Sequence, residues 1–528
     1  MDTCTLTVRY PDDHAPPRRI DDAERIEQSF AAYTEDESRL TGAVPAAVYF
    51  PETTHAVSAA VRDACERGLP ITVSGARTGI AGGAVVSEGS ALLSLEKLVH
   101  TPRVAYNDRE AAWTVHVGAG TSLEELAHVL RTGTYEASGE PPQRLFYPVD
   151  PTEVSASAAG TVATNAGGAR TLHYGPTRDW VVGLTVVLAD GGVVSLSRGE
   201  REIQHGGLVL EGPEGVRSIE LPDLPMPHTK HTGGYYLQPR MDPIDLFIGG
   251  EGTLCVVTEV ELRLAPMPEQ RLFLCLYVPE SGVAGITRAV KEAEALTPLA
   301  LEYMDSHSLG LLRTYRAEQG ESSGVPAFPD DAECVLYVEL VLDGPEGFET
   351  AYEALEDILG SYGVSLDDSW AGESLNDADA MKAFRHALPE RINSIIGERR
   401  QSVPEISKVG TDMAVSDDHL ADILTAYREG LDAAGLEYCI FGHIGNGHLH
   451  VNILPRTREE KDAAYELYER FARRVAELGG SLFAEHGVGR LKRRFMPIQY
   501  TADQIDAMRR VKTWLDPDGR LNPGVLFP

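Results

Sequence analysis

Lysine is scarce in this chain of 528 residues: there are eight, and lysine and arginine together reach only 47 against 80 aspartates and glutamates, for a formal net charge of −33. A field of that sign repels phosphate backbones and anionic lipid, so nucleic acid is not an expected partner. Cysteine is also sparse. Cys4, Cys65, Cys255, Cys275, Cys334 and Cys439 are scattered and never fall as Cys-x-x-Cys, which argues against an iron–sulfur cluster or a structural zinc and for a reducing compartment. No run of about 18 apolar residues exists, and the N-terminal stretch lacks the apolar core of a secretory signal. The expectation is a cytoplasmic protein without a transmembrane segment, peripheral attachment at the inner membrane face remaining open. What is present is an ordinary globular mixture, 43% hydrophobic and 24% charged, in a chain long enough for about three domains' worth of packed structure. One small binding module is excluded.

A short amphipathic helix with a polar lead-in is read over residues 20–42, and 1–42 is set apart as an N-terminal lead-in. A strand–helix rhythm follows. A strand opens at 45–49, Thr53 or Thr54 caps a helix whose apolar face is Val57, Val61, Ala64 and Cys65, and Ile71 to Val73 forms the next strand. From Trp113 apolar and polar residues alternate as in a half-buried strand, and Thr121 with Glu124 is read as a capping box for the helix carrying Leu123, Leu126 and Leu130. Strands at 184–188 and 193–196 flank the turn Asp190-Gly191-Gly192, and residues 198–228 read as a Pro/Gly-rich excursion. Near 265–270 the composition shifts. Strand 272–278, helix 283–296, strand 334–342 and helix 346–360 then suggest an antiparallel sheet covered by helices, resembling paired ferredoxin-like units. The boundaries are placed at 43–268 and 269–528.

Two segments are rich in small residues. SGARTGIAGGA follows a strand directly, where backbone N–H groups at Gly75, Gly79, Gly82 and Gly83 can converge on a diphosphate; it is neither a Rossmann fingerprint nor a Walker loop, and a plain turn is the competing reading. The second, DPTEVSASAAGTVATNAGGART, has too little side-chain volume to pack a core by itself, so a large planar ligand lying on backbone is the natural filler, with Thr161, Thr164 and Asn165 as polar edges.

In FGHIGNGHLHVNI a glycine turn at 445–447 separates two strand-like arms, and His448, His450 and Asn452 alternate with apolar residues. A hairpin would bring His443 near His450. Spacing alone carries little weight, since 16 histidines in 528 residues give about half a pair at any chosen separation by chance. Farther on, Glu485 and His486 are adjacent in AEHGVG, where diverging side chains let one serve a metal and the other a substrate. Two imidazoles and a carboxylate suit a zinc- or manganese-type divalent ion, against the alternative of satisfied core histidines. Lys230, Lys408 and Lys492 lie in Gly/Thr- or Gly/Arg-rich segments, which hints at anion or cofactor contact beside the alternative of solvated lysines.

Taken together, YTEDES, SGARTGIAGG, VATNAGGARTLHYGPTRDWVVGL, LFIGGEGTLCVVTEVELRL, GHIGNGHLH, AEHGVG and LNPG resemble the flavoproteins with the FAD-binding fold of vanillyl-alcohol oxidase and p-cresol methylhydroxylase joined to a C-terminal FAD-linked oxidase domain, such as D-lactate and D-2-hydroxyglutarate dehydrogenases and the D subunit of glycolate oxidase. The resemblance implies an α+β protein: a two-part FAD-binding domain of the p-cresol methylhydroxylase type, then a ferredoxin-like antiparallel-sheet substrate domain whose last segment, about 480–528, returns to the flavin. It implies that Ser74, Gly75, Ala76, Arg77, Thr78, Gly79, Gly82 and Gly83 cradle the FAD diphosphate, that Asp150, Pro151, Thr152, Ser157, Gly160, Thr161, Thr164, Asn165, Gly167 and Gly168 line the flavin, that Glu251, Gly252 and Val256 approach the adenosine half, and that Asn522 meets the isoalloxazine. No histidine stands in the SGARTG loop, where covalently flavinylated relatives carry one, so the FAD is expected to be non-covalent.

The same resemblance puts metal ligands at His443, His450 and Glu485, the general base at His486, the carboxylate clamp at Arg385, and further substrate contacts at Asn452 and Lys408. This chain departs from the usual GHxGDGNxH by having Asn446 and His448, which makes His448 an alternative ligand. The implied activity is oxidation of a D-2-hydroxy acid to the 2-oxo acid by hydride transfer to flavin. Reoxidation would fall to an external acceptor: a quinone, an electron-transfer flavoprotein, a cytochrome or oxygen. A homodimer, a glycolate-oxidase-type subunit of a larger redox complex, and a metal-dependent hydrolase using the same His/His/Glu set remain open.

Overall fold

The computed structural model describes residues 4–11, 17–203, 206–344, 346–372 and 374–527; the parts of the lead-in at 1–3 and 12–16 lie outside the described residues. The chain builds mixed sheets around two centres. In the N-terminal half, strands Ala47–Tyr49, Ala91–Ser94 and Ile71–Ser74 pair in parallel, with Arg19–Ile20 on the outer edge. The strand–helix rhythm read after residue 45 is present. Thr53 accepts a hydrogen bond from the N–H of Ala56 and starts the helix Thr54–Glu66, whose fully buried Val57 and Val61 each contribute about 1.5–3 kcal/mol of burial. Beside this sheet lies a six-stranded one, ordered Val193–Ser197, Val181–Val187, Val256–Arg263, Ala112–Gly118, Arg103–Asn107 and Glu136–Ser138.

The C-terminal half is organised by a long antiparallel sheet running Trp370–Gly372, Arg271–Val278, Cys334–Val341, Thr297–Met304, Tyr438–Gly442, His448–Ile453 and Val409–Gly410, with Met413–Ala414 also pairing to His448–Ile453. Helices Val283–Glu292, Ser306–Gln319, Gly347–Gly360 and Leu375–Arg400 accompany it. The final segment goes back to the first half: Ile71 donates to the carbonyl of Arg520, and Asn522 donates to that of Ile71, so Leu521 forms a parallel bridge with the strand that feeds the SGARTG loop.

Three sequence expectations need correction. The N-cap of helix Leu123–Thr132 is Ser122, accepting from the N–H of Glu125, one residue beyond Thr121 and Glu124. The helix begun at 283 ends at Glu292, and a strand that the reading left out follows at Thr297–Met304. The excursion 198–228 contains a hairpin, Gly207–Gly212 with Gly215–Glu220, onto which the N-terminal strand Cys4–Thr7 adds in parallel. The short helix read within 20–42 is present as Ala23–Ser29. Among the described residues no helix is long and apolar enough to cross a membrane.

Candidate active site

The strand His448–Ile453 sets the site. It pairs with Tyr438–Gly442 so that His450 stands opposite Phe441, and the tight turn between them swings His443 back over the sheet. The turn depends on Gly447, whose φ of +60° is left-handed and where an added Cβ would lie 2.0 Å from the carbonyl oxygen of Val415. One ligand atom from each of His443, His448, His450 and Glu485 falls within 4.8 Å of the others. Glu485 arrives on the loop after the helix Arg458–Glu477; the Glu251 carboxylate accepts the N–H groups of Val488 and Gly489, both at 2.7 Å, and so ties this loop to the N-terminal half.

Each imidazole of the cluster is addressed by a second group. His443 Nδ1 lies 2.6 Å from Glu302 Oε1 and its Nε2 3.1 Å from Glu485 Oε2. His450 Nδ1 faces the carbonyl of Thr411 at 3.3 Å, leaving Nε2 for another partner. His448 is fully buried, with Nε2 3.1 Å from Asp412 and Nδ1 3.4 Å from Glu485, yet neither nitrogen makes a well-aligned hydrogen bond. Orphaned buried nitrogens beside a carboxylate fit a cation, and two to three imidazoles with one carboxylate fit zinc or manganese better than magnesium or calcium. Burial opposes charge on His443, but Glu302 prevails and holds the imidazole up at about 9. Glu485 is held well below the ordinary carboxylate range by Lys230, 2.5 Å away, and by His443, although burial opposes this. Burial also pushes His450 well down and brings His486 to about 4, so both are neutral at pH 7.

A cavity of about 1220 Å³ joins this cluster to the glycine-rich segments. Gly75, Ala76, Arg77, Thr78, Gly79, Gly83, Pro151, Thr152, Ser157, Gly160, Thr161, Thr164, Gly167, Glu251, Gly252 and Asn522 line it, and so do Arg385, Lys408, His443, His450, Asn452, Glu485 and His486. At Gly79 and Gly83 an added Cβ would meet nothing within 4 Å and would stand in the cavity itself, so the loop is a bare backbone shelf; the hydroxyl of Ser74 just below it is buried without a partner. These features fit a dinucleotide lying along small residues, with its diphosphate on backbone N–H groups.

The other sequence candidates support that wall from behind. Asp150 pairs with Arg170, and Gly168 packs against the Asp150 carbonyl so closely that a Cβ would lie 2.1 Å from its oxygen. Asn165, at φ +49°, accepts from the N–H of Arg178. Gly82 backs onto Leu40, and Val256 is core, its neighbour Val257 facing the cavity. Asn522 accepts from the Val73 N–H and donates to the Glu251 carbonyl, knotting the C-terminal segment to the flavin-side wall.

Arg385 sits on the helix Leu375–Arg400, four residues before Pro389, so its carbonyl has no helical N–H partner. One guanidinium nitrogen is held by Glu302 at 2.9 Å and the fork lies over the Tyr337 ring at 5.1 Å. Lys408 faces the cavity, and burial pushes its ammonium down. Sequence reading missed Glu302 and Asp412. Glu302 left one signal, a lone acid inside the apolar stretch LALEYM, and Asp412 left none.

The comparisons with known proteins agree with this geometry. Residues 45–197 match the family described as "FAD binding domain", and residues 267–526 match "FAD linked oxidases, C-terminal domain". The chain is 30% identical to the D-lactate dehydrogenase of Anaerostipes hadrus, covering 96% of this chain and 94% of that one, 29% identical to the D-2-hydroxyglutarate dehydrogenase of Xanthomonas citri pv. viticola (94% and 92%), and 28% identical to the glycolate oxidase subunit GlcD of Bacillus subtilis (97% and 94%). Among solved structures, 4-ethylphenol oxidase from Gulosibacter chungangensis shares the fold with a TM-score of 0.63 at 18% identity over 96% of this chain and 94% of that one. Full-length similarity and a cavity whose bare shelf suits a dinucleotide point the same way: the chain belongs to the FAD-linked oxidoreductases that join an FAD binding domain to an FAD-linked oxidase C-terminal domain.

Proposed function

We propose that this protein oxidises a D-2-hydroxy acid of the D-lactate type to the 2-oxo acid, with non-covalent FAD held by residues 43–268 and a zinc or manganese ion held by His443, His450 and Glu485 of residues 269–528. The observation that carries this is the single cavity in which the backbone shelf at 75–83, the His/Glu cluster, His486 and Arg385 all meet. The names of the relatives, D-lactate and D-2-hydroxyglutarate dehydrogenase, support the substrate class.

FAD, when bound, supplies the two-electron acceptor for the Cα hydride, and the divalent ion supplies Lewis acidity at the substrate hydroxyl. The chain does the rest. Arg385, anchored by Glu302 through one nitrogen, offers the remainder of its planar fork to the substrate carboxylate. Asn452 and Lys408 line the same space and bind the polar end of the substrate. Neutral His486 takes the hydroxyl proton. The walls exclude water from the reacting centre. An external quinone, electron-transfer flavoprotein or cytochrome would serve as the final acceptor.

The relative named as a glycolate oxidase subunit favours a second reading, in which the chain works beside sister chains. One experiment decides. The isolated chain, purified and scanned in the visible range, is given D- and L-2-hydroxy acids with an artificial acceptor, before and after chelation. Yellow protein that turns over D-acids and loses activity on chelation supports the proposal. A colourless protein, or turnover indifferent to chelators, overturns it, and yellow protein that turns over only with added partners favours the second reading.

A further inference from the structure

Through its carboxylate Asp412 contacts the Glu485-His486 dipeptide directly. It lies between the two short strands Val409–Gly410 and Met413–Ala414, both of which pair with the histidine strand, so its position is fixed by the ladder that carries His448 and His450. Its neighbour Thr411 strengthens the anchor: Thr411 N–H donates to the Val451 carbonyl, and the Val451 N–H donates to the Thr411 hydroxyl. From that point the Asp412 carboxylate, only 2% exposed, takes hold of the Glu485-His486 dipeptide. Oδ1 accepts from the N–H of Glu485 and Oδ2 from the N–H of His486, each at 3.1 Å. Oδ1 also faces His486 Nδ1 at 3.4 Å and His448 Nε2 at 3.1 Å, and Oδ2 accepts from Lys492 Nζ at 2.5 Å.

One carboxylate thus accepts the backbone N–H groups of Glu485 and His486 and lies 3.4 Å from the Nδ1 of that histidine's ring. A carboxylate facing one imidazole nitrogen selects the tautomer protonated there and leaves the other nitrogen's lone pair free. Here the proton is drawn to Nδ1, and His486, 27% exposed, opens toward the cavity that it lines. Lys492 balances the charge, which keeps the buried carboxylate an acceptor rather than an acid.

We infer that Asp412, with Lys492 as its counter-charge, is the positioning residue for His486: it fixes the Nδ1-protonated tautomer and the angle of the ring, so that Nε2 receives the substrate hydroxyl proton. This rests on the reading of His486 as the base.

The test is a double-mutant cycle in the flavin- and metal-loaded protein, with Asp412→Asn, His486→Ala and the double variant. Asparagine keeps the shape and one accepting oxygen but points a donor where the second oxygen was. The inference expects Asp412→Asn to lower kcat by about 10²–10⁴-fold, with KM within about threefold and flavin and metal content unchanged, and to lower it by less than about threefold when His486 is already alanine. Equal losses in both backgrounds would show a merely structural role and overturn it, as would full activity in Asp412→Asn. If His486→Ala alone keeps normal turnover, the base reading itself has failed, a separate result. Should Asp412→Asn not retain flavin, Lys492→Gln takes its place in the same cycle, with a loss of about tenfold confined to the His486 background expected and equal losses overturning. Independently of turnover, ¹⁵N-histidine spectra of the zinc-loaded protein should show His486 protonated on Nδ1; protonation on Nε2 contradicts the inference.

Discussion

Glu302 Oε1 lies 2.6 Å from Nδ1 of His443, and its other oxygen lies 2.9 Å from Arg385, so one buried carboxylate holds both a metal-ligand candidate and the proposed substrate clamp. Burial alone would favour its neutral form, yet Arg385 and His443 hold the carboxyl at about 2. Replacing it by glutamine removes the charge and keeps the size. Outer partners of metal-binding histidines are typically worth 10–100-fold in metal affinity. Glu302→Gln should therefore bind zinc about 10–100-fold more weakly by chelator competition and also show a raised KM, because Arg385 loses its anchor. Unchanged values of both would separate Glu302 from the site.

The ligand set can be decided by comparing histidines. A catalytic metal site keeps an open coordination position, typically with three protein ligands. If His443, His450 and Glu485 are those three, His448 is a neighbour whose main partner is Asp412. His450→Ala and Glu485→Gln should then lose stoichiometric metal, while His448→Asn should retain one ion per chain by elemental analysis. Loss of metal in His448→Asn would make His448 a ligand.

Substrate recognition is expected to rest on Arg385 more than on any other cavity cation, because its planar fork matches a carboxylate in two bonds where an ammonium matches in one. Arg385→Lys should raise KM for a 2-hydroxy acid by about tenfold or more with the flavin spectrum unchanged. A KM indistinguishable from that of the unmodified protein would place the carboxylate elsewhere, with Lys408 next in line.

Legibility from sequence followed local regularity. The histidine strand was readable because His448, His450 and Asn452 alternate with Leu449, Val451 and Ile453 across a glycine turn, a period-2 signal that the ladder reproduces. The SGARTG shelf was readable because a run of small residues directly after a strand leaves open space, which an added Cβ at Gly79 would enter. Glu302 was hidden because its strand is buried in the middle of a sheet and reads as a short apolar run without the alternation that marks a half-buried strand. Asp412 was hidden for a different reason: it stands between two-residue strands, too short for any period, and its meaning lies in five contacts to residues 36 to 80 positions away. The position of Ser122 rather than Thr121 as helix cap is a one-residue slip between neighbouring hydroxyls, where hydrogen-bond geometry alone decides.

Acid stability gives a prediction away from the active site. Glu259 lies on the strand Val256–Arg263 in the six-stranded sheet, and the His116 ring facing it at 3.4 Å, with the hydroxyls of Thr185 and Thr54, holds its carboxyl down to about 2 against the opposing effect of burial. A carboxyl whose folded pKa lies below its unfolded value releases its proton more readily when folded, so stability rises with pH wherever the unfolded chain binds the extra proton. That contribution is fully present above about pH 4.5, the ordinary value for a glutamate, and is lost as pH falls through about 2. Glu259→Gln removes the titration. Denaturant midpoints measured between pH 7 and pH 3 should then fall less steeply with acidification in the variant than in the unmodified protein, while at pH 7 the variant is the less stable of the two. Parallel pH curves for the two proteins would show that His116 and the threonines do not hold the Glu259 charge in solution.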